Sequence, residues 1–372
     1  MDFNLSEDHS LLKDMVARFV REKYTFETRD KIIKSDVGYS PEIWAEMAEL
    51  GLVAAVLPES AGGLGGTGLD IMVVMEELGR GIVVEPYIAT AVLGAGLLAE
   101  EAASGRGPGL LDDVVAGSKI IALAHMEAGA RYNDQRVNAA LEKAGDGFKL
   151  TGAKSVILNG AEADTLIVSA KGPEGLALVL VDKGADGMTV RGFKTHDGGR
   201  AAEISFDGVA VSADDVLLSG ADAEAALGRA LARGTFAVCA ESIGVMEAAR
   251  DATLEYLRTR TQFGVPIGKF QALQHRLVDV CLEIEQARSI VLLAATNLQH
   301  DAAERDKAVS AAKSLIGRVG RLVAEEAVQM HGGIGVTWEF SVAHMAKRLI
   351  MIDHHFGDTD HHLERFQKLS AA

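Results

Sequence analysis

Tyr256-Leu257-Arg258-Thr259-Arg260-Thr261-Gln262-Phe263-Gly264-Val265-Pro266-Ile267-Gly268-Lys269-Phe270-Gln271 is the stretch on which the reading of this chain turns. Arg258 and Arg260 complement the dipole at the end of a helix, and Gly264 and Pro266 then stop the chain. Gln271 stands where the next helix begins. Helix termination alone explains the arginines. It does not explain the polar-aromatic pair Gln262-Phe263, nor Gln271. With Arg260 these residues offer a guanidinium for phosphate and amides for a base or a ribose.

Downstream of Pro266 the chain has no proline for roughly a hundred residues and is rich in Ala, Leu, Val, Glu and Arg, which favours long helices. The helical period spans about 222–260, 270–300, 304–331 and 341–350, the pattern of a four-helix bundle. Upstream, between Ser118 and Leu218, short apolar runs alternate with turn signals. The runs are Ile120 to Ala124, Phe148 to Thr151, Val156 to Leu158, Thr165 to Val168, Leu176 to Val181, Met188 to Val190 and Ile204 to Phe206. Gly145-Asp146-Gly147 and Asp197-Gly198-Gly199 punctuate them, which predicts a small antiparallel sandwich or barrel.

The first third is helical again. Leu11, Leu12, Met15, Val16, Phe19 and Val20 share one helical face. Ser40-Pro41-Glu42 combines an N-cap, an N1 proline and an acidic first turn for a helix that stops at Gly51. A further helix runs from near Asp70 to near Gly79. Helices, then strands, then helices make an α+β chain with segregated domains. The expected divisions are an N-terminal α-helical domain over 1–117, a middle antiparallel β-domain over 118–218 and a C-terminal bundle over 219–372.

Composition bounds the function. The 372 residues carry 37 Lys and Arg against 53 Asp and Glu, a formal charge of −16. That surplus of acid argues against nucleic acid or an anionic membrane as main partner. No apolar run has the length of a membrane helix. The start, Met1-Asp2-Phe3-Asn4-Leu5-Ser6-Glu7-Asp8, lacks a basic n-region and an apolar h-region, so no signal peptide is expected. Cys239 and Cys281 form neither a CxxC pair nor a disulfide framework, which suits a reducing compartment. A cytoplasmic protein is the expectation.

Three further motifs compete for attention. Gly63-Leu64-Gly65-Gly66-Thr67-Gly68 is formally G-x-G-x-x-G before a helix, yet no strand precedes it and no βαβ alternation surrounds it. A flexible loop between helices is the better reading. The run from Asp353 to His362 holds four His and three Asp, but adjacent pairs diverge on any regular element, so a solvated or substrate-lining loop is favoured over a metal site. Gln329-Met330-His331-Gly332-Gly333-Ile334-Gly335-Val336 ends a long helix on glycines that permit close backbone approach to a ligand.

The Arg260 stretch followed about 70 residues later by the Gln329 stretch resembles the acyl-CoA dehydrogenases. The likeness extends over the whole chain, including the amphipathic first helix, Leu57-Pro58-Glu59-Ser60-Ala61-Gly62-Gly63 and the central strands. It implies FAD held between two subunits, usually in a dimer of dimers. It also implies α-proton removal from an acyl-CoA thioester by a carboxylate, with the β-hydrogen passing to FAD as hydride to give a 2-enoyl-CoA. By the same resemblance Arg260 pairs with the diphosphate of a neighbouring subunit's FAD, and Gln262 and Phe263 contact phosphate and adenine. Ile267, Phe270, Gln271 and Leu273 line that end, while Gln329, Gly332 and Gly333 close over diphosphate and ribose. Thr359 joins the cofactor contacts.

The same transfer finds gaps. The family's Thr-Glu-Pro-x-x-Gly-Ser-Asp type stretch reads Met126-Glu127-Ala128-Gly129-Ala130-Arg131-Tyr132-Asn133, and its Trp-Ile-Thr-Asn strand reads Val156-Ile157-Leu158-Asn159. Val156 thus replaces an indole that packs on the flavin, and Leu158 a hydroxyl that bonds to it. The family's Tyr-Glu-Gly-Thr reads Phe356-Gly357-Asp358-Thr359, which puts Gly357 where the catalytic Glu belongs. The alternative position on the first bundle helix falls in Arg233-Gly234-Thr235-Phe236 and is also empty. Asp358 is then the candidate base, one residue out of register, with Glu241 a weaker one that a core role would equally explain.

This pattern looks most like the small subunits of heteromeric acyl-CoA dehydrogenases, such as those for pimeloyl-like or steroid side-chain substrates. The resemblance implies an acyl-CoA substrate, a homo-oligomer or a heterotetramer with a related chain, and an electron-transfer flavoprotein as acceptor. A flavin oxidase or monooxygenase on the same scaffold, and a non-catalytic partner subunit, are the alternatives.

Overall fold

The computed structural model describes residues 5–101 and 107–371; Met1 to Asn4, the start of the acidic N-terminal stretch, lie outside them. The helices are α1 (Glu7–Lys23), α2 (Phe26–Lys34), α3 (Pro41–Glu49), α4 (Leu52–Ala55), α5 (Gly68–Gly81), α6 (Gly96–Glu101), α7 (Gly107–Val115), α8 (Gly220–Thr259), α9 (Gln271–Asn297), α10 (Ala302–His331), α11 (Ser341–His354) and α12 (Thr359–Ala371). The strands are β1 (Ile121–Ala124), β2 (Ala140–Ala144), β3 (Gly147–Leu158), β4 (Thr165–Gly172), β5 (Gly175–Asp182), β6 (Met188–Lys194), β7 (Arg200–Val211), β8 (Val216–Ser219), β9 (Thr261–Gln262) and β10 (Val265–Pro266). Helices at both ends and a sheet in the middle make the chain α+β. Among the described residues no helix is long and apolar enough to cross a membrane.

Local signals set the helix starts. The Ser6 hydroxyl accepts from the His9 N–H to cap α1, and the Ser40 hydroxyl accepts from Ile43 to cap α3. Thr67 and Asp70 form a reciprocal capping box on α5. The chain packs as two compact units. One comprises the residues through Lys31, Thr67–Val83 and those from Thr235 on; the other comprises Ile32–Gly66 and Val84–Gly234.

In the first unit α1 packs on α5, and α10 packs against α9, α11 and α12. Two glycines let backbones touch there: a Cβ on Gly79 would stand 2.2 Å from the Glu241 carbonyl oxygen, and one on Gly244 would stand 1.8 Å from that of Glu76. Among the described residues the four expected C-terminal helices are α8 to α11, and a fifth, α12, follows them. Asp358 caps the fifth by accepting from the His361 N–H at 2.9 Å, so the loop expected through His362 is only a short break after α11. His362 is accordingly a buried helix residue and not a solvated loop group.

In the second unit eight strands form one sheet in the order β6-β7-β3-β2-β4-β5-β8, with β1 beside β4. The sheet is mixed, not purely antiparallel, because β1 and β2 both pair with β4 in parallel. Alternate residues of β4 (Leu166, Val168, Ala170), β5 (Ala177, Val179, Val181) and β7 (Ala202, Ile204, Phe206) enter a single core cluster, so the sheet curls around one interior. β2 and β8 escape sequence reading because their stretches show no clear alternation. A buried π-helical stretch, Ile88–Ala95, packs on β1 and was likewise not predicted; the Thr90 hydroxyl donates to the Ile121 carbonyl at 3.0 Å.

Two glycines of the G-x-G-x-x-G segment pack against the chain that precedes it. A Cβ on Gly63 would lie 2.1 Å from the Leu57 carbonyl oxygen, and one on Gly66 would lie 2.5 Å from the Leu57 carbonyl carbon. These glycines serve close packing of the chain on itself.

Candidate functional site

The Arg260 stretch folds as the sequence predicts up to its tip. α8 ends at Thr259, and the Arg260 N–H donates to the Tyr256 carbonyl at 2.8 Å. The chain then makes the hairpin β9–β10, with Phe263 and Gly264 both at positive φ in its two-residue turn. Ile267 N–H returns to the Arg260 carbonyl at 2.9 Å and closes the loop. Arg260, Gln262 and Gln271 are exposed, and Leu273 is half-buried. Phe263 is 91% exposed, its ring edge-on to Phe270 at 6.1 Å between centroids. Phe263 is the most exposed large hydrophobic among the described residues.

At the end of α10, Gln329, Gly332 and Gly333 are exposed, and a Cβ on either glycine would meet open space. The two helix ends are joined by rings. His331 stacks on Tyr256 at 4.5 Å and 28°, and Phe340 closes on His331 at 5.2 Å and on Tyr256 at 6.3 Å. Tyr256 and His331 were missed as linking residues; their only signal was their place inside the two motifs. The two helix ends, joined through those rings, expose between them a guanidinium, side-chain amides, an aromatic face and open glycine backbone. Such a set suits the diphosphate and adenosine end of a dinucleotide such as FAD.

Gly357 lies apart from that surface. Its loop packs on α10 near Lys313 and Gly317, and Gln329 is about 18 Å further along the same helix. Thr359 goes with Gly357, its N–H and hydroxyl both donating to Asp353 Oδ1 at 3.0 and 2.8 Å. The fully buried Lys313 ammonium donates to the carbonyls of Asp353 and Gly357. Burial pulls the Lys313 pKa down from its ordinary value. His362 donates through Nε2 to the Phe356 carbonyl at 2.9 Å, since a carbonyl only accepts. Desolvation, then the Lys313 charge, hold His362 neutral with a pKa of about 3.

These contacts close position 357. Gly357 is buried at φ +114°, where L side chains are strained. A Cβ there would stand 2.6 Å from His361 Cδ2 and 2.7 Å from His362 Nε2. Asp358 is half-buried, and its carboxylate is engaged as the cap of α12. Glu241 is buried and grips Arg348 with both oxygens, one at 2.6 Å, as a satisfied core carboxylate. Arg233 is buried in its own unit and donates to the Val56 carbonyl at 2.7 Å.

In the sheet unit, the two stretches that depart from the family pattern are brought side by side. The Ser155 N–H donates to the Met126 carbonyl at 2.9 Å. Beneath them the Lys154 ammonium, fully shielded, donates to Glu127 Oε1 at 2.7 Å, Ser169 Oγ at 3.0 Å and the His125 carbonyl at 3.3 Å. Glu127 also accepts from the backbone of Asn138 and Ala139. Desolvation pushes the Glu127 carboxyl up, but the bonds from Lys154, Ala139 and Asn138 win and hold it below the usual range.

A bulge between Lys154 and Ile157 throws Val156 outward at φ +53°, 42% exposed, while Leu158 packs on the sheet core. A β-branched residue in the left-handed region is strained by roughly 1–3 kcal/mol. Val156→Gly should therefore raise stability by about 1 kcal/mol in urea denaturation, after the entropy cost of glycine. Unchanged or lower stability in that variant would show the bulge to be unstrained.

Comparison with known proteins follows this geometry. The acyl-CoA dehydrogenase N-terminal domain matches residues 6–111, the middle domain matches 121–209 and the C-terminal domain matches 224–368. Acyl-CoA dehydrogenase FadE27 of Mycobacterium tuberculosis is 30% identical over 349 residues, 92% of this chain and 91% of that one. A chain of the ChsE4–ChsE5 complex from Mycobacterium tuberculosis superposes with a TM-score of 0.89 at 29% identity, covering 100% of this chain and 99% of that chain. Butyryl-CoA dehydrogenase from Megasphaera elsdenii gives a TM-score of 0.89 at 27% identity, with 100% of both chains covered. The chain belongs to the acyl-CoA dehydrogenase family, flavoproteins that oxidise the CH–CH bond of acyl-CoA thioesters.

Proposed function

We propose that this chain is the base-free subunit of a heteromeric acyl-CoA dehydrogenase, which lends the nucleotide-end grip on FAD to a related chain that carries the base. The observation that carries the reading is the closure of position 357 around glycine, with Asp358 spent as a helix cap. Retention of the Arg260, Gln262, Phe263, Gln329, Gly332 and Gly333 surface supports the other half of it. The likeness to a chain of a named two-component complex supports the heteromer over a homo-oligomer.

In this reading Arg260 pairs with the diphosphate, Gln262 and Phe263 hold phosphate and adenine, and the open Gly332 and Gly333 admit the backbone close to the ribose. FAD, when bound, supplies the hydride acceptor. Thr359, proposed as a further cofactor contact, bonds Asp353 through its N–H and hydroxyl and so steadies the loop. The three expected domains, 1–117, 118–218 and 219–372, belong to the proposal. So does a cytoplasmic location, which the two free thiols, buried Cys239 and half-buried Cys281, suit. An electron-transfer flavoprotein is the proposed acceptor.

Co-expression with a related, base-bearing chain is the test. One FAD for every two chains, acyl-CoA-dependent flavin bleaching by the pair and none by the lone chain are the expected results. Arg260→Ala should weaken FAD retention by the pair about 10–100-fold, the worth of one charge-assisted hydrogen bond. A lone chain that purifies yellow and bleaches with acyl-CoA as fast as the pair would overturn the proposal.

A further inference from the structure

The loop that presents Gly332 and Gly333 is held from behind by a hydrogen-bond chain that begins on α2. Arg29, 1% exposed, donates through Nε to the Ile82 carbonyl at 2.8 Å, and its NH1 lies 3.0 Å from His344 Nδ1. His344, 2% exposed, places Nε2 2.8 Å from the Trp338 carbonyl. A guanidinium only donates and a carbonyl only accepts. The two partners therefore dictate the imidazole's state: Nε2 carries the proton, Nδ1 is a bare lone pair and the ring is neutral.

The held segment is the one that follows the glycines. Thr337 turns back to the Ile334 carbonyl through both its N–H and its hydroxyl. Phe340 then closes on the His331 and Tyr256 rings, so residues 331–340 form a loop with its base on the ring stack and its far side on His344.

We propose that Arg29 and His344 are positioning residues of the dinucleotide site, a relay that fixes the Gly332–Phe340 loop only while His344 is uncharged. This rests on the nucleotide-end reading given above. A second proton on His344 would sit at Nδ1, facing the Arg29 guanidinium, with no acceptor in place of the lone pair it removes. Arg29 on α2 and Lys347 on α11 oppose that charge, and Asp30 on α2 favours it. The net balance, led by burial, lowers the pKa of His344 from its usual value. The relay is therefore intact at neutral pH and opens as acid charges the ring.

Trp338 reports the event. Its ring lies 4.5 Å from His344, its Nε1 donates to Asp30 Oδ1 at 3.2 Å, and Lys347 stands 4.2 Å over its face. A charged imidazolium at that distance quenches indole emission. The test uses the full chain with its related partner, and FAD as probe, titrated from about pH 7.5 down through the range below the usual imidazole value. In a Trp44→Phe background, emission should fall in acid and FAD binding should weaken about tenfold along the same titration.

His344→Gln supplies an acceptor for Arg29 and a donor for the Trp338 carbonyl without a titrating group, so both pH dependences should flatten. His344→Leu should bind FAD weakly at every pH, or fail to fold, and Gln rescue separates those cases. Parallel loss of FAD binding in wild type and His344→Gln would overturn the proposal, as would a wild-type emission profile that is flat in acid. Absence of FAD binding at pH 7.5 in the wild-type pair would instead remove the reading on which it rests.

Discussion

Gly357→Glu, which restores the family's catalytic residue in sequence, is expected to cost about 3 kcal/mol or more and to leave the lone chain unable to bleach flavin with acyl-CoA. Two effects add. The left-handed backbone strains any L side chain by roughly 1–3 kcal/mol. Its Cβ also meets two imidazoles at 2.6 and 2.7 Å, and overpacking a built interior costs about 1–3 kcal/mol. His362 cannot swing aside freely, because its Nε2 is bonded to Phe356 and the ring is buried. Urea denaturation reads the stability, and anaerobic mixing with acyl-CoA reads the chemistry. A Gly357→Glu chain as stable as the parent, and active alone, would show that the site lost its base without being rebuilt around the loss.

Removing one member of the buried pair in the sheet unit should cost more than any surface change. Glu127→Ala leaves the Lys154 ammonium charged and shielded, with only Ser169 and the His125 carbonyl as acceptors. Breaking such a pair from one side costs about 3–5 kcal/mol. The sign of the pH effect follows. Burial already lowers the Lys154 pKa, and without Glu127 the folded state prefers the neutral amine more strongly. The variant's deficit should therefore shrink as pH rises and the amine sheds its proton. A deficit below about 1 kcal/mol, or one that grows with pH, would mean that solvent reaches Lys154 in the folded chain. Because Lys154 and Glu127 lie beneath the contact between Ser155 and Met126, their loss should also loosen the outward bulge at Val156.

What was legible follows the range of the signal. The Ser40 cap, read from sequence, acts within three residues and starts its helix where expected; the caps at Ser6 and Thr67 act over the same range but were not read. Six strands of the sheet were read from seven apolar runs, two of which, Phe148 to Thr151 and Val156 to Leu158, fall in β3. β2, β8 and the π-helical stretch were not, since burial by neighbours far along the chain, and not local pattern, holds them in place. The break before α12 was read as a longer loop because His361 and His362 look polar. His362 is nevertheless buried, its donor matched to a carbonyl six residues back and its ring packed beside Lys313.

The candidate site divides in the same way. Sequence alone established the α+β order and the helix ends at Arg260 and Gly332, because a glycine, a proline or an arginine at a helix end acts on its own backbone. It also put Gly357 at the position where the resemblance expects a glutamate. Only the tertiary structure decided that position 357 is closed, that Asp358 is a cap, that Tyr256 and His331 join the two motifs, and which buried partners Lys154 and His344 meet. Those facts depend on side chains 6 to 315 residues apart meeting in an interior where an unmatched charge or an extra methyl is costly. No local pattern encodes which partners will meet there.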